Sequence, residues 1–291
     1  MKQTIINTCL GLALCGALLA GPAEDIVKKH TQAIVAELEA YLEKNPDAED
    51  KARAHKTLLM SYKIIGDTEK STSIYREQFD AAGSGADVQV GMLYNATNNL
   101  FNFYLQQGKT DDANKLIEDA IKKSVASPQE EKLTNAFKLI QGQLNKPKIG
   151  DAMDMKFTSL GGKEIDLAEM KGKAVLIDFW ATWCGPCIKE IPHLKKAYEK
   201  YHEKGFEIIS VSVDKESDKE KLEAMIKAQN MTWPQHFDGK GSANVFAIKY
   251  GVNRYPTTFL VGKEGKVIAT DLRGVQLEQA LAKELSTTSA E

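Results

Sequence analysis

The sequence predicts two parts of different class, an all-α segment followed by an α/β sandwich. Three observations predict it. Apolar residues recur at helical spacing through residues 24–146, near-continuous apolar runs of strand length appear only after residue 150, and a Lys-Pro-Lys-Ile-Gly stretch at 146–150 separates the two patterns. The chain has 291 residues, enough for two domains, with 43% hydrophobic and 27% charged residues, as in an ordinary globular protein. A formal charge of −2 supplies no long-range attraction to nucleic acid or to an anionic membrane, so partners must be recognised locally, by shape and chemistry.

Residues 1–23 read as a signal peptide. Lys2 gives a short positive start, residues 5–20 are largely apolar, and Gly21-Pro22-Ala23 precedes an abrupt switch to Glu24-Asp25. This largely apolar stretch of sixteen residues is marginal against the roughly 20 that span a bilayer. Cleavage after Ala20 or Ala23 makes the mature chain an exported one, in a compartment such as the bacterial periplasm. An uncleaved anchor, or lipid attachment at Cys15, is the rival reading. Cys9 and Cys15 leave with the leader, and the mature chain keeps only Cys184 and Cys187. A disulfide closing so short a loop adds little stability, because disulfide stabilisation grows with loop length. The pair therefore serves redox chemistry or metal.

In the first part, residues 26–42 form an amphipathic helix (Ile34, Val35, Leu38, Tyr41, Leu42) that Asn45-Pro46 ends. A faint repeat at an offset of 42 then aligns Tyr62, Gly66 and Thr68 with Tyr104, Gly108 and Thr110, each followed by a second amphipathic stretch. The second copy resembles a degenerate tetratricopeptide hairpin, and an irregular helical bundle explains the same pattern. Tyr94, Phe101, Phe103 and Tyr104 are expected in its core.

In the second part, strand signals at 155–158 and 164–167 flank Gly161-Gly162. Residues 174–180 and 206–213 are apolar runs of the kind found in strands covered on both faces. Helices are expected at 185–202, 219–229, 243–250 and 277–285, and a terminal hairpin at 257–261 and 266–270.

The chemistry concentrates where the 174–180 strand gives way to a helix, at Trp183-Cys184-Gly185-Pro186-Cys187. A helix N-terminus presents unpaired amides and partial positive charge, which stabilise a thiolate on the first cysteine. Cys187, one turn further, lies close enough to attack a mixed disulfide formed on Cys184. The metal alternative lacks ligands: zinc takes four, and none of the five histidines forms a second short-spaced pair. No cofactor is called for. Asp178 sits inside the apolar strand, where burial raises a carboxyl pKa and fits it to take a proton from Cys187; an Asp facing out of an edge strand is the bland alternative. Glu190, three residues past Cys187, shares its helix face and either modulates the thiols or is an ordinary solvated residue. Pro192 interrupts the same helix. Tyr255-Pro256, opening a strand, is where a cis bond would sit.

Assembled, these residues resemble thioredoxin, most closely the exported TlpA/ResA-like thiol–disulfide oxidoreductases. The carrying stretches are 149–150, 171–192 and 250–261, and the resemblance covers about residues 147–285. It implies a thioredoxin fold with a central mixed sheet, a nucleophilic Cys184, a resolving Cys187, a cis-proline at Pro256 and a proton-relay carboxylate at Asp178. Trp183, Tyr255 and Pro256 are implied as the substrate-binding rim, Glu190 as the acidic residue of the branch, and 214–239 as its insertion. That branch often carries Asn in place of Asp178, which leaves open whether Asp178 or Glu190 relays the proton. Gly-Pro between the cysteines resembles reducing members, which implies disulfide-bearing protein substrates and a membrane thiol donor. Peroxidase sites would place Thr and Pro where this chain has Ala181 and Ile177. The reading is then a signal peptide at 1–23, a helical domain at 24–146 and a thioredoxin-like domain at 147–291; a helical scaffold with an incidental redox pair is the non-enzymatic alternative. The oligomeric state is left open.

Overall fold

A computed structural model describes residues 21–286. The leader expected over 1–23, with Cys9 and Cys15, lies outside the described residues except for positions 21–23, and Pro22 and Ala23 open the first helix. The helical first part is observed: α1 (Pro22–Lys44), α2 (Lys51–Ile65), α3 (Thr68–Ala81), α4 (Val90–Gln106), α5 (Thr110–Ser124) and α6 (Glu130–Gln141). Both glycines of the faint repeat end a helix as the alignment implies. Gly66 caps α2 at φ +79° and Gly108 follows α4 at φ +67°, a left-handed backbone that glycine adopts without steric cost.

The chain forms two compact units, one ending at Ala81 and the other beginning at Ala82. The first holds α1–α3 around Val35, Leu58, Tyr62 and Ile74, with the Tyr62 hydroxyl donating to Glu39 at 2.5 Å. The second holds α4–α6 together with everything that follows. The change at 146–150 is thus one from helix to strand rather than a boundary between compact units. Phe101, Leu116, Ile117 and Phe137 are buried as a helical core should be. Tyr94, expected there, is exposed and stacks on Phe137 with ring centroids 6.4 Å apart, while Phe103 and Tyr104 are half-buried.

Within the second unit the strands are β1 (Lys156–Thr158), β2 (Glu164–Asp166), β3 (Ala174–Trp180), β4 (Phe206–Ser212), β5 (Gln235–His236), β6 (Thr257–Val261) and β7 (Val267–Thr270). The helices are α7 (Gly185–Tyr201), α8 (Lys219–Ala228), α9 (Val245–Lys249) and α10 (Val275–Ser286). β1 and β2 pair alone, antiparallel; the other five form a mixed sheet in the order β5-β4-β3-β6-β7. β3 runs parallel to β4 and antiparallel to β6. This is the thioredoxin fold the resemblance implied. β3 is buried at every position because it is central and covered on both faces. β5, two residues long, carries no periodicity and was not legible in the sequence.

The helical segment meets the sheet domain backbone to backbone. Gly142, in the 3-10 turn after α6, has an ordinary helical backbone (φ −55°), yet a Cβ there would fall on the Ile248 carbonyl oxygen at the end of α9. Facing it, Gly251 takes φ +59°, and a Cβ on it would lie 2.5 Å from the Gln143 amide nitrogen. Gly142→Ala should therefore cost about 1–3 kcal/mol or more by overpacking, read as a lower urea midpoint at unchanged slope. An unchanged midpoint would mean that this contact contributes nothing.

Candidate functional site

β3 delivers the chain to the site and α7 receives it. Gly185 and Pro186 occupy the first turn of α7, where proline's missing N–H costs no hydrogen bond. Cys184 is the N-cap: its Sγ accepts the Cys187 backbone N–H at 3.3 Å, so it sits where the helix concentrates positive potential. Cys184 and Cys187 are joined as a disulfide, with Cα atoms 5.3 Å apart. They are 5% and 3% exposed, so both are buried in this state, Cys187 slightly the more. Trp183 stands 57% exposed beside them, its ring edge-on to Tyr255 at 5.8 Å. The Tyr255–Pro256 bond is cis. The structure thus brings Trp183, Tyr255 and Pro256 together into one rim, although they lie some seventy positions apart in the chain.

Asp178 lies on β3, the middle strand of five, so the edge-strand alternative does not apply. It is 5% exposed, and its register partners Ser210 on β4 and Thr258 on β6 are both uncharged. Burial pushes its carboxyl up to about 7; Arg273 pulls the other way, and the negative charge of Glu190 adds to the rise. Glu190 is half-buried rather than freely solvated, and its Oε2 accepts the Gly274 N–H at 3.0 Å.

Two groups near the site escaped the sequence. Arg273 lies past the last strand, in a segment with no recognisable pattern. Asp214, fully buried just after β4, accepts the Thr182 backbone N–H at 3.0 Å and the hydroxyls of Thr182 and Ser212, each at 2.8 Å. It thereby ties the loop entering Trp183 to β4. A carboxylate closing the apolar run 206–213 was the available signal. Ala181 and Ile177, at the two peroxidase positions, are buried apolar residues.

A redox disulfide capping a helix at the end of a central strand, on this sheet order, defines a thioredoxin-fold thiol–disulfide oxidoreductase. Residues 149–270 match the AhpC/TSA family. Thiol-disulfide oxidoreductase ResA of Bacillus cereus is 40% identical over 154 residues, covering 51% of this chain and 85% of that protein. The ResA protein of Bacillus subtilis is 35% identical over 118 residues, covering 40% of this chain and 63% of its own length. Among solved structures, the thioredoxin domain of a thiol-disulfide oxidoreductase from Bacteroides vulgatus is similar at 32% identity, covering 47% of this chain and 96% of that one, with a TM-score of 0.43. The chain belongs to the ResA family of thiol–disulfide oxidoreductases.

Proposed function

We propose that the protein is an exported reductant or isomerase of protein disulfides, working through the Cys184-Gly185-Pro186-Cys187 site. The observation that carries this reading is the Cys184 Sγ held at the N-terminus of α7 beside the exposed Trp183 rim. In the reduced protein the Cys184 thiolate attacks one sulfur of a substrate disulfide, and the other substrate sulfur leaves as a thiolate and takes up a proton. Asp178 then accepts the Cys187 proton, and the Cys187 thiolate attacks Sγ of Cys184. The mixed disulfide breaks, the second substrate thiolate departs, and the Cys184–Cys187 disulfide remains. Two electrons have passed to the substrate; its first thiolate takes its proton from solvent, and its second takes the Cys187 proton held by Asp178. A thiol donor must supply the electrons again, and in an oxidising compartment that donor is a membrane-borne dithiol rather than a soluble thiol pool. The apolar segment at 5–20 supports export.

The direction of electron flow rests on Gly185-Pro186, which puts no histidine beside the thiolate. Equilibration with glutathione should give a potential near the roughly −270 mV of thioredoxin rather than the roughly −120 mV of the strong periplasmic oxidant, a gap of about 7 kcal/mol. A value above about −150 mV would reverse the proposed electron flow.

A further inference from the structure

Arg273 stands in the turn between β7 and α10, and its guanidinium is fully engaged on one side. Nη1 donates to Thr258 Oγ1 at 3.0 Å and to the Leu272 carbonyl at 2.6 Å, and Nη2 donates to the Pro256 carbonyl at 2.5 Å. Pro256 and Thr258 bracket the start of β6, the strand edge that carries the substrate rim. Thr258 is also the antiparallel register partner of Asp178, and such partners project to the same face of the sheet. A permanent positive charge is thus fixed, by the strand paired with β3, within electrostatic reach of the buried carboxyl. The next residue extends the arrangement, since the Gly274 N–H holds the carboxylate of Glu190. We propose that Arg273 is a positioning residue of the exchange reaction, anchoring the Pro256 edge of the site and supplying the charge that lets Asp178 accept a proton near neutral pH.

This proposal rests on Asp178 as the proton acceptor in the reaction above. The groups that face Asp178 are few. β4 and β6 present Ser210 and Thr258, neither of them charged. From α7 comes Glu190, whose negative charge acts on Asp178, and the two cysteines of that helix do not titrate while bonded to each other. His193, also on α7, lies against the turn, 4.0 Å from where a Cβ on Gly274 would stand. Burial and Glu190 both favour the protonated carboxyl, and Arg273 opposes them. Arg254, the other arginine of this region, is paired with Asp271 at 3.0 Å.

The test is titration of the Asp178 carboxyl by carbon NMR in the oxidised full chain, alongside the pH profile of insulin reduction. With Arg273→Gln the Asp178 midpoint should rise by about one pH unit or more, and the ascending limb of the rate profile should move with it. Arg273→Lys keeps the charge but loses the planar fork. Its midpoint should stay close to wild type, while KM for a peptide disulfide rises because the Pro256 edge is no longer held. An Asp178 midpoint unmoved by Arg273→Gln overturns the proposal. If that variant does not fold, Arg273→citrulline, introduced by semisynthesis, keeps the shape without the charge and decides the same point in the same titration. The titration needs no turnover. A raised midpoint in a protein that reduces no disulfide would uphold the coupling and sink the proposed function, whereas normal turnover with an unmoved midpoint would remove Arg273 alone.

Discussion

Cys184→Ser should reduce insulin-disulfide turnover to the background of dithiothreitol alone. The expectation follows from the asymmetry of the pair. The Sγ of Cys184 receives a backbone N–H at the N-terminus of α7, which favours its thiolate. Cys187, inside the helix and 3% exposed, is the more enclosed of the two. With serine at 184 there is no sulfur at the helix N-terminus to form the mixed disulfide, and Cys187, one turn further along the helix, lacks that activating position. Cys187→Ala should behave differently: the first displacement still occurs, and the complex stalls as a mixed disulfide visible on a non-reducing gel. Undiminished turnover in Cys184→Ser would remove the assignment of the nucleophile, and with it the proposed reaction.

Asp178→Asn should have two opposite effects, separable by pH. The folded carboxyl titrates at about 7 because it is buried, against an ordinary value of 3.8. Between those pH values the unfolded chain has lost the proton and the native protein keeps it, so wild-type stability falls as pH rises across that window. Well below pH 3.8 both states are protonated and the variant should match wild type closely. Above pH 7 the buried negative charge is fully present, and its removal should stabilise by on the order of 4 kcal/mol, the equivalent of that gap. Urea unfolding at pH 3 and pH 8 reads this directly. Exchange should slow in the same variant, since the Cys187 proton loses its acceptor, and a general base commonly contributes about 10²–10⁴-fold. Glu190, fixed by the Gly274 N–H, is the competing acceptor. If Asp178→Asn exchanges at the wild-type rate between pH 6 and 8 while Glu190→Gln is slow, the relay belongs to Glu190.

What the sequence determined by itself was whatever depends on local order. The apolar run 174–180 is a strand over those same residues, because seven residues rich in β-branched and aromatic side chains are too few for a buried helix and the right length for a strand covered on both faces. Gly185-Pro186 opening a helix, and Cys184 as its cap, follow from the chemistry of a helix N-terminus. The repeat aligned Gly66 with Gly108, and both take a left-handed backbone where a helix ends, a conformation glycine adopts without steric cost. Tertiary structure alone decided the rest. That β3 is central rather than an edge strand is a fact about pairing, and pairing is what buries Asp178. The joining of Trp183 to Tyr255, and of Glu190 to Gly274, depends on contacts between distant segments, to which the hydrophobic pattern is silent. Arg273 was illegible because a single charged residue after a strand has no periodicity to mark it, and Asp214, though marked as the carboxylate that closes an apolar run, has a role that appears only when the fold supplies its partners. The unit boundary at 81/82 has the same origin. Composition changes at 146–150, whereas the units divide at 81/82, and the close approach of the backbones at 142 and 251, made by two glycines without side chains, lies inside the second unit.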